Sequence, residues 1–255
     1  MKNIEMLERL NAMKKFVSYD ADAAQTLEKL IADVEADIRQ ETAASRGNGA
    51  AQRIITKMLK ANREFKPEIS YQWIDAKNRQ CAIDGHRGFR FKDHLPLEER
   101  PKDCGDHPEL SKIYPSSDVL DTKYLPIKLP SAADIKIEIA KQKSLGFKRN
   151  YYYDFGADLP VVNAQYLLDI ITVLPDADTI WYSGILSPMF VFTDRADAIL
   201  CTIKMDKKSY EKTLAAQELH RLLREYRENA HKESEYSLSL EQFAHIAKLH
   251  AKVSA

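Results

Sequence analysis

The stretch Val161–Met205, VVNAQYLLDIITVLPDADTIWYSGILSPMFVFTDRADAILCTIKM, changes period once along its length, and that change decides the fold. Tyr166, Leu167, Ile170, Ile171 and Leu174 recur at the spacing of an amphipathic helix. Asn163 stands where a side-chain oxygen can accept from the first free backbone N–H groups, and Pro175 cannot continue the ladder. Beyond the proline the text becomes β-branched and aromatic. "TIWYS", "SPMFVFT" and "DAILCTIKM" read as three strands, parted by turns at Ser183-Gly184 and Asp194-Arg195-Ala196. With the aromatic run "NYYYDF" just upstream as a further strand, the order is strand, helix, strand, strand, strand.

Much of that grammar occurs once before. "AQRIITKMLKANREF" sets Ile54, Ile55, Met58 and Leu59 on one face and Arg53, Lys57, Lys60 and Arg63 largely on another, an amphipathic helix with a basic side. Three strand-like runs follow, "EISYQWID", "RQCAI" and "GFRFK", divided by Lys77-Asn78 and Asp84-Gly85. Residues 50–205 are therefore expected to be two halves of one α+β domain, each a helix laid on an antiparallel meander.

Helices flank this domain. Residues 1–46 read as a helical hairpin: Ile4, Leu7, Leu10 and Met13 mark one helix, and Leu27, Leu30, Ile31, Val34 and Ile38 the next, with Asp20 or Ser18 as its N-cap. Gly47-Asn48-Gly49 is the clearest break in the chain. Residues 206–255 form a helical extension, one helix carrying Tyr210, Leu214, Leu222, Leu223 and Tyr226, and a last one opened by the capping pair Ser239 and Gln242. Between Asp93 and Leu129 the text is rich in Pro, Asp and Ser and reads as a long surface connection, a kind of segment that is usually functional or mobile. "SAADIKIEIAKQKSLG" alternates like a strand at Ile135, Ile137 and Ile139, but Ser131 with Asp134, and Gly146 as a stop, favour a helix.

At 255 residues, 44% hydrophobic and 30% charged, the chain has enough apolar material for one large core or two modest ones. It has no run of about 18 apolar residues, and the start carries charges where a secretion signal needs apolar residues, so the expected location is the cytoplasm without membrane contact. Cys81, Cys104 and Cys201 are too scattered for a disulfide framework or a structural zinc site, and Cys81 and Cys201 are expected in the core. The net charge is zero, but unevenly so. Residues 46–150 hold 21 Lys and Arg against 14 Asp and Glu, while 151–205 hold 2 against 7. Such asymmetry suits a polyanion-facing surface, and equally two blocks that attract each other.

Bond-making chemistry finds little support. Asp154-Phe155-Gly156 has the letters of a kinase magnesium motif, but no glycine-rich phosphate loop or His-Arg-Asp accompanies it, so it reads as a strand ending before a loop. Cys104 and His107 are ligand types without two further ligands; His86 sits in a turn without a nucleophile; His245 and His250 are five apart and do not share a helix face. No cofactor or metal is expected. Tyr151-Tyr152-Tyr153 could stack on bases, though aromatics in a strand more often pack on neighbours.

"VVNAQYLLDIITVLPDADTIWYSGILSPMFVFTDRADAILCTIKM" resembles the second half of a domain of the bacterial sliding clamp, the processivity subunit of the replicative polymerase. The matching positions are Asn163, Tyr166, Leu167 and Asp169, then Ser187-Pro188; "AIDGHRGFRF" is similar to the turn and strand of the first half, through Asp84, Gly85 and Arg87. The resemblance covers residues 50–205. A full clamp subunit strings three such domains together, and this chain has room for one. The resemblance implies a self-associating, non-enzymatic factor whose helices contact duplex DNA through phosphates. Arg53, Lys57, Lys60 and Arg63 fit that role, whereas the second helix offers Gln165, Asp169 and Thr172 and no base. The expected role is a DNA-associated accessory of replication or of a mobile element. The alternative is an adaptor or inhibitor that binds a replication protein on a clamp-like scaffold without touching DNA.

Overall fold

A computed structural model describes residues 3–17, 19–45, 47–61, 63–64, 66–101, 104–148, 150–156, 158–204, 207–232 and 237–254. In chain order the elements are α1 (Asn3–Val17), α2 (Ala21–Ser45), α3 (Gly49–Ala61), β1 (Trp73–Ile74), β2 (Gln80–Ile83), β3 (Arg87–Phe91), α4 (Ser117–Lys123), β4 (Leu125–Lys128) and α5 (Ala132–Ser144). There follow β5 (Tyr152–Asp154), β6 (Val161–Asn163), α6 (Ala164–Val173), β7 (Thr179–Tyr182), β8 (Met189–Phe192), β9 (Ala196–Leu200), α7 (Lys207–Lys232) and α8 (Leu240–Ser254). The architecture is α+β, as the sequence leads one to expect. Two compact units divide the chain: one takes it up to Lys128 together with Asp169–Trp181 and Phe190–Leu200, the other takes Leu129–Leu168, Tyr182–Met189 and the chain from Cys201 onward.

The first unit is built on a seven-stranded sheet of order β1-β2-β3-β9-β8-β7-β4. The two meanders meet at β3 and β9, antiparallel, from Arg87 opposite Leu200 to Phe91 opposite Ala196. Side chains alternate across a pleated strand, so these registers sort the residues into rows. Trp73, Cys81, Arg90 and Asp197 form one row, and Ile83, Gly88 and Ile199 another on the same face. The opposite face carries Gln80, Phe91 and Ala196, then Ala82, Phe89 and Ala198. Phe91 and Ala196 border a small cavity with Ala51 of α3 and Val173 of α6, which identifies that face as the helix side. Gly88 is required by its row: a Cβ there would stand 2.5 Å from Ile83 Cγ2 and 3.1 Å from Ile199 Cγ2.

Local signals set the helix ends. Asp20 caps α2, its Oδ1 accepting from the N–H groups of Asp22 and Ala23, while Ser18 lies outside the described residues. Gly47, at φ 74°, closes α2: its N–H reaches the carbonyl of Ala44, and the N–H of Asn48 reaches that of Ala43. This is the paired closure of a left-handed helix terminus, which glycine adopts without steric cost.

Two expectations are corrected in this unit. "EISYQWID" supplies only a two-residue strand, because Pro67, which has no N–H to pair, opens a 3-10 turn over Pro67–Ile69 and the chain becomes extended only at Trp73. The connection from Asp93 to Leu129 is not simply surface. Leu95, Leu97, Leu110 and Tyr114 are buried, and β4 joins the sheet edge beside β7. Its apolar residues have no period because their partners are distant. Gln80, buried, holds the start of the segment by exchanging two hydrogen bonds with Leu95, Nε2 donating to its carbonyl at 2.8 Å and Oε1 accepting from its N–H at 2.7 Å.

In the second unit, α5 has the expected capping box: Asp134 N–H donates to Ser131 Oγ, and Ser131 N–H to Asp134 Oδ2. Ile135 and Ile139 are buried and Ile137 is exposed, so the alternation belongs to a helix face. Buried Gln142 repeats the device of Gln80, exchanging two bonds with the backbone of Tyr152. β5 pairs with β6, a strand absent from the sequence reading because three residues carry no period. Asn163 caps α6 by accepting from the N–H groups of Gln165 and Tyr166. Ser239 and Gln242 cap α8 reciprocally, and α8 packs on α7. Cys201, expected in the core, is partly exposed, since β9 ends one residue earlier; Cys81 is fully buried.

Candidate nucleic-acid interface

α3 buries Ala51, Gln52, Ile55, Met58 and Leu59 and so turns Arg53, Lys57 and Lys60 to solvent. Spaced at i, i+4 and i+7, these three cations stack along one face of the helix. Arg63 lies beyond the helix end and is engaged differently. Its Nη2 meets Glu98 Oε2 at 2.8 Å and its guanidinium lies 4.7 Å from the ring centroid of Tyr71. The structure therefore places three of the four expected residues on one exposed helix face and ties the fourth to an acid.

α2 runs beside α3 and makes the other wall of an open groove of about 460 Å³. Arg39, Arg53, Lys57 and Lys60 line it, against Asp37 and Glu98. Arg39 sits 3.7 Å from Glu35, and the Arg53 side chain folds back toward the Gly49 carbonyl at 3.3 Å. Among the described residues Lys57 and Lys60 have no ion-pair partner. Such flexible cations attract phosphate oxygens without reading bases, in proportion to the counterions they displace.

α6 contributes no base: Gln165 and Thr172 are exposed, and Asp169, expected on the exposed side, is half-buried because Arg87 Nη1 donates to its Oδ2. Arg87 also holds Asp84, Nε to Oδ2 at 3.1 Å, and Asp84 Oδ1 accepts the N–H groups of His86 and Arg87. The Asp-Gly-x-Arg turn and the helix aspartate, both singled out in the sequence, thus form one ion-pair cluster.

The other singled-out residues have ordinary structural partners. The Gly156 N–H donates to Asp154 Oδ1 and the Phe155 N–H to the Pro160 carbonyl, closing a turn between β5 and β6. Cys104 Sγ lies 2.9 Å from the Pro67 carbonyl, and the His107 ring stacks on Trp73 at 5.1 Å. His245 Nε2 lies 3.1 Å from Glu218 Oε1. Tyr151, Tyr152 and Tyr153 are half-buried, Tyr152 edge-on to Phe147 and Tyr153 to Phe155. Among the described residues no group of three or more His, Cys, Asp or Glu is placed to hold a metal ion, and no helix is long and apolar enough to cross a membrane.

Sequence reasoning missed a charged network on the sheet face opposite the helices. Arg90 Nη2 meets Asp197 Oδ2 at 2.6 Å, and Arg79 reaches Asp75 at 2.7 Å and Asp197 at 3.7 Å. The Arg90 guanidinium lies 3.4 Å from the ring centroid of Tyr114. The only local hint was a charge set between apolar residues in "GFRF" and "RADAIL".

No family model matches the chain, and no curated protein does. Among solved structures the chain is similar to a Helicobacter pylori β clamp bound to a DNA ligase peptide, at 13% identity and a TM-score of 0.42, over 61% of this chain and 63% of that one. It is also similar to the DNA polymerase III β chain of Streptococcus pneumoniae, at 12% identity and TM-score 0.40 over 59% and 63%, and to the β subunit of Thermotoga maritima, at 14% and 0.38 over 60% and 64%. In each case the match spans less than two thirds of the clamp chain.

Proposed function

We propose that the chain is a non-enzymatic, clamp-like factor that holds duplex DNA by its phosphates without reading sequence, as an accessory of replication or of a mobile element. The observation that carries this reading is the exposure of Arg53, Lys57 and Lys60 on one face of α3. Arg63 is a weaker fourth contact, since it must first leave Glu98. In this reading the chain also associates with itself, and β1 and β4 are the edge strands of the sheet to which such pairing would add. The test is fluorescence anisotropy of labelled duplex across a salt series. Three phosphate contacts predict that log K falls against log salt with a slope of about −3. Lys57→Glu/Lys60→Glu should abolish binding. Absence of binding at low salt would sink the proposal.

A second reading is favoured by the apolar residues that the helical hairpins leave exposed: Ile4, Met13 and Phe16 on α1, and Leu240 and Phe243 on α8. Here the chain is an adaptor or inhibitor that binds a replication protein through these helices. Co-elution with such a protein at moderate salt, without DNA, would favour it, and loss of that co-elution in Phe16→Asp or in Phe243→Asp, each made alone, would assign the contact to α1 or to α8.

A further inference from the structure

Residues 104–124 lie across the sheet face opposite α3 and α6. Leu110, Tyr114 and Tyr124 from this stretch pack with Trp73, Cys81, Phe190 and Ile199 of the sheet. The backbone bonds of the central part close on the segment itself, from Ile113 and Tyr114 N–H to the Leu110 carbonyl, from Leu120 N–H to Ser116, and from Tyr124 N–H to Leu120. The ends are fastened in another way. Arg100 donates to the carbonyls of Glu68, Cys104 and Gly105 at one end, and at the other the chain enters β4 on the sheet edge. Between the two fastenings, side chains hold the segment down, with His107 stacked on Trp73, Tyr114 and Tyr124 against Phe190, and Tyr114 over Arg90. That last contact is imperfect: among the described residues Tyr114 Oη and Arg90 Nε are both buried without a hydrogen-bond partner, a cost carried by the closed arrangement.

We propose that residues 104–124 are a strap that lifts from the sheet as a unit of its own, uncovering the apolar row Trp73–Cys81 and the Phe190–Ile199 patch while the rest of the unit stays folded. A segment tied by side chains between two anchors has its own opening free energy, smaller than that of global unfolding. The uncovered face carries this apolar patch beside the Arg90–Asp197 ion pair.

Cys81 reports the opening. It is fully buried beneath the strap, and burial foremost, with Asp75 second, pushes its thiol up to about 12, so a thiol reagent at neutral pH reacts only through the open form. The full-length protein carrying Cys104→Ser and Cys201→Ser, which leaves Cys81 as the one thiol, is labelled with a maleimide over a urea series that ends below the unfolding midpoint. The expected profile has a flat branch at low urea, the signature of an opening that exposes little surface, joining a steep branch that follows global unfolding. Tyr114→Ala should raise the flat branch roughly 100-fold. Ile55→Val, on the helix side, should move the steep branch and leave the flat one in place. Labelling that follows the global slope from zero urea upward in all three proteins would overturn the proposal, as would a flat branch that Tyr114→Ala does not move.

Discussion

Arg87 in β3 donates to the carboxylate of Asp169 in α6, so a turn in one meander of the repeat is tied to the helix of the other. Both side chains are largely shielded, at 8% and 17% exposure, and Arg87 also holds Asp84. Removing the cation strands two carboxylates near each other away from solvent. Arg87→Met should cost about 3–5 kcal/mol in urea unfolding, because breaking a buried pair leaves charge uncompensated. Asp169→Asn, which keeps a hydrogen-bond acceptor, should cost clearly less. No loss in Asp169→Asn beside a full loss in Arg87→Met would show that the bond to Asp169 contributes nothing.

Gly88 has no room for a side chain between Ile83 and Ile199. Gly88→Ala should destabilise by about 1–3 kcal/mol, the usual cost of overpacking a core. Ile83→Ala in the same chain should recover part of the loss, because the two sites couple. A thermal melt of the single and double variants decides it.

Gln80 fastens residue 95 with two hydrogen bonds that a leucine cannot make. Gln80→Leu should lose about 2–3 kcal/mol, since the N–H and carbonyl of Leu95 would be left buried and unpaired. Hydrogen exchange at Leu95 and Leu97 should accelerate before that of β3. Unchanged exchange there would show that the apolar packing of Leu95 and Leu97 suffices.

Asp75 gives the protein an acid limit. Burial alone would raise its carboxyl, but the Arg79 side chain and the N–H groups of Arg79 and Lys77 outweigh burial and hold it below the usual value. A folded-state value below the unfolded one stabilises the protein above the unfolded value of about 3.9. That contribution is lost as pH falls from there through the folded value. Asp75→Asn should flatten the fall in stability below about pH 4. An unaltered acid profile in that variant would assign the fall to other carboxylates.

Within the DNA reading, the four cations are unequal. Arg53→Ala or Lys60→Ala should each reduce the salt slope of duplex binding by about 1. Arg63→Ala should change it by much less, because Glu98 and Tyr71 already occupy the guanidinium. Equal effects from all three substitutions would mean that Arg63 leaves Glu98 on binding.

The sequence by itself determined what is local. The caps Ser131, Asn163 and Ser239, Asp20 as one of two candidates for α2, the break at Gly47-Asn48-Gly49, the basic face of α3 and the doubled meander were legible because each rests on residues close in the chain. Only the tertiary structure decided what is distant. It seated Leu110 and Tyr114 in the core, set β4 beside β7, bound Asp169 to Arg87 and gave Arg63 to Glu98. Each of these joins residues tens of positions apart, and a partner at that separation leaves no period in the chain; it is selected by shape and charge once the sheet has formed.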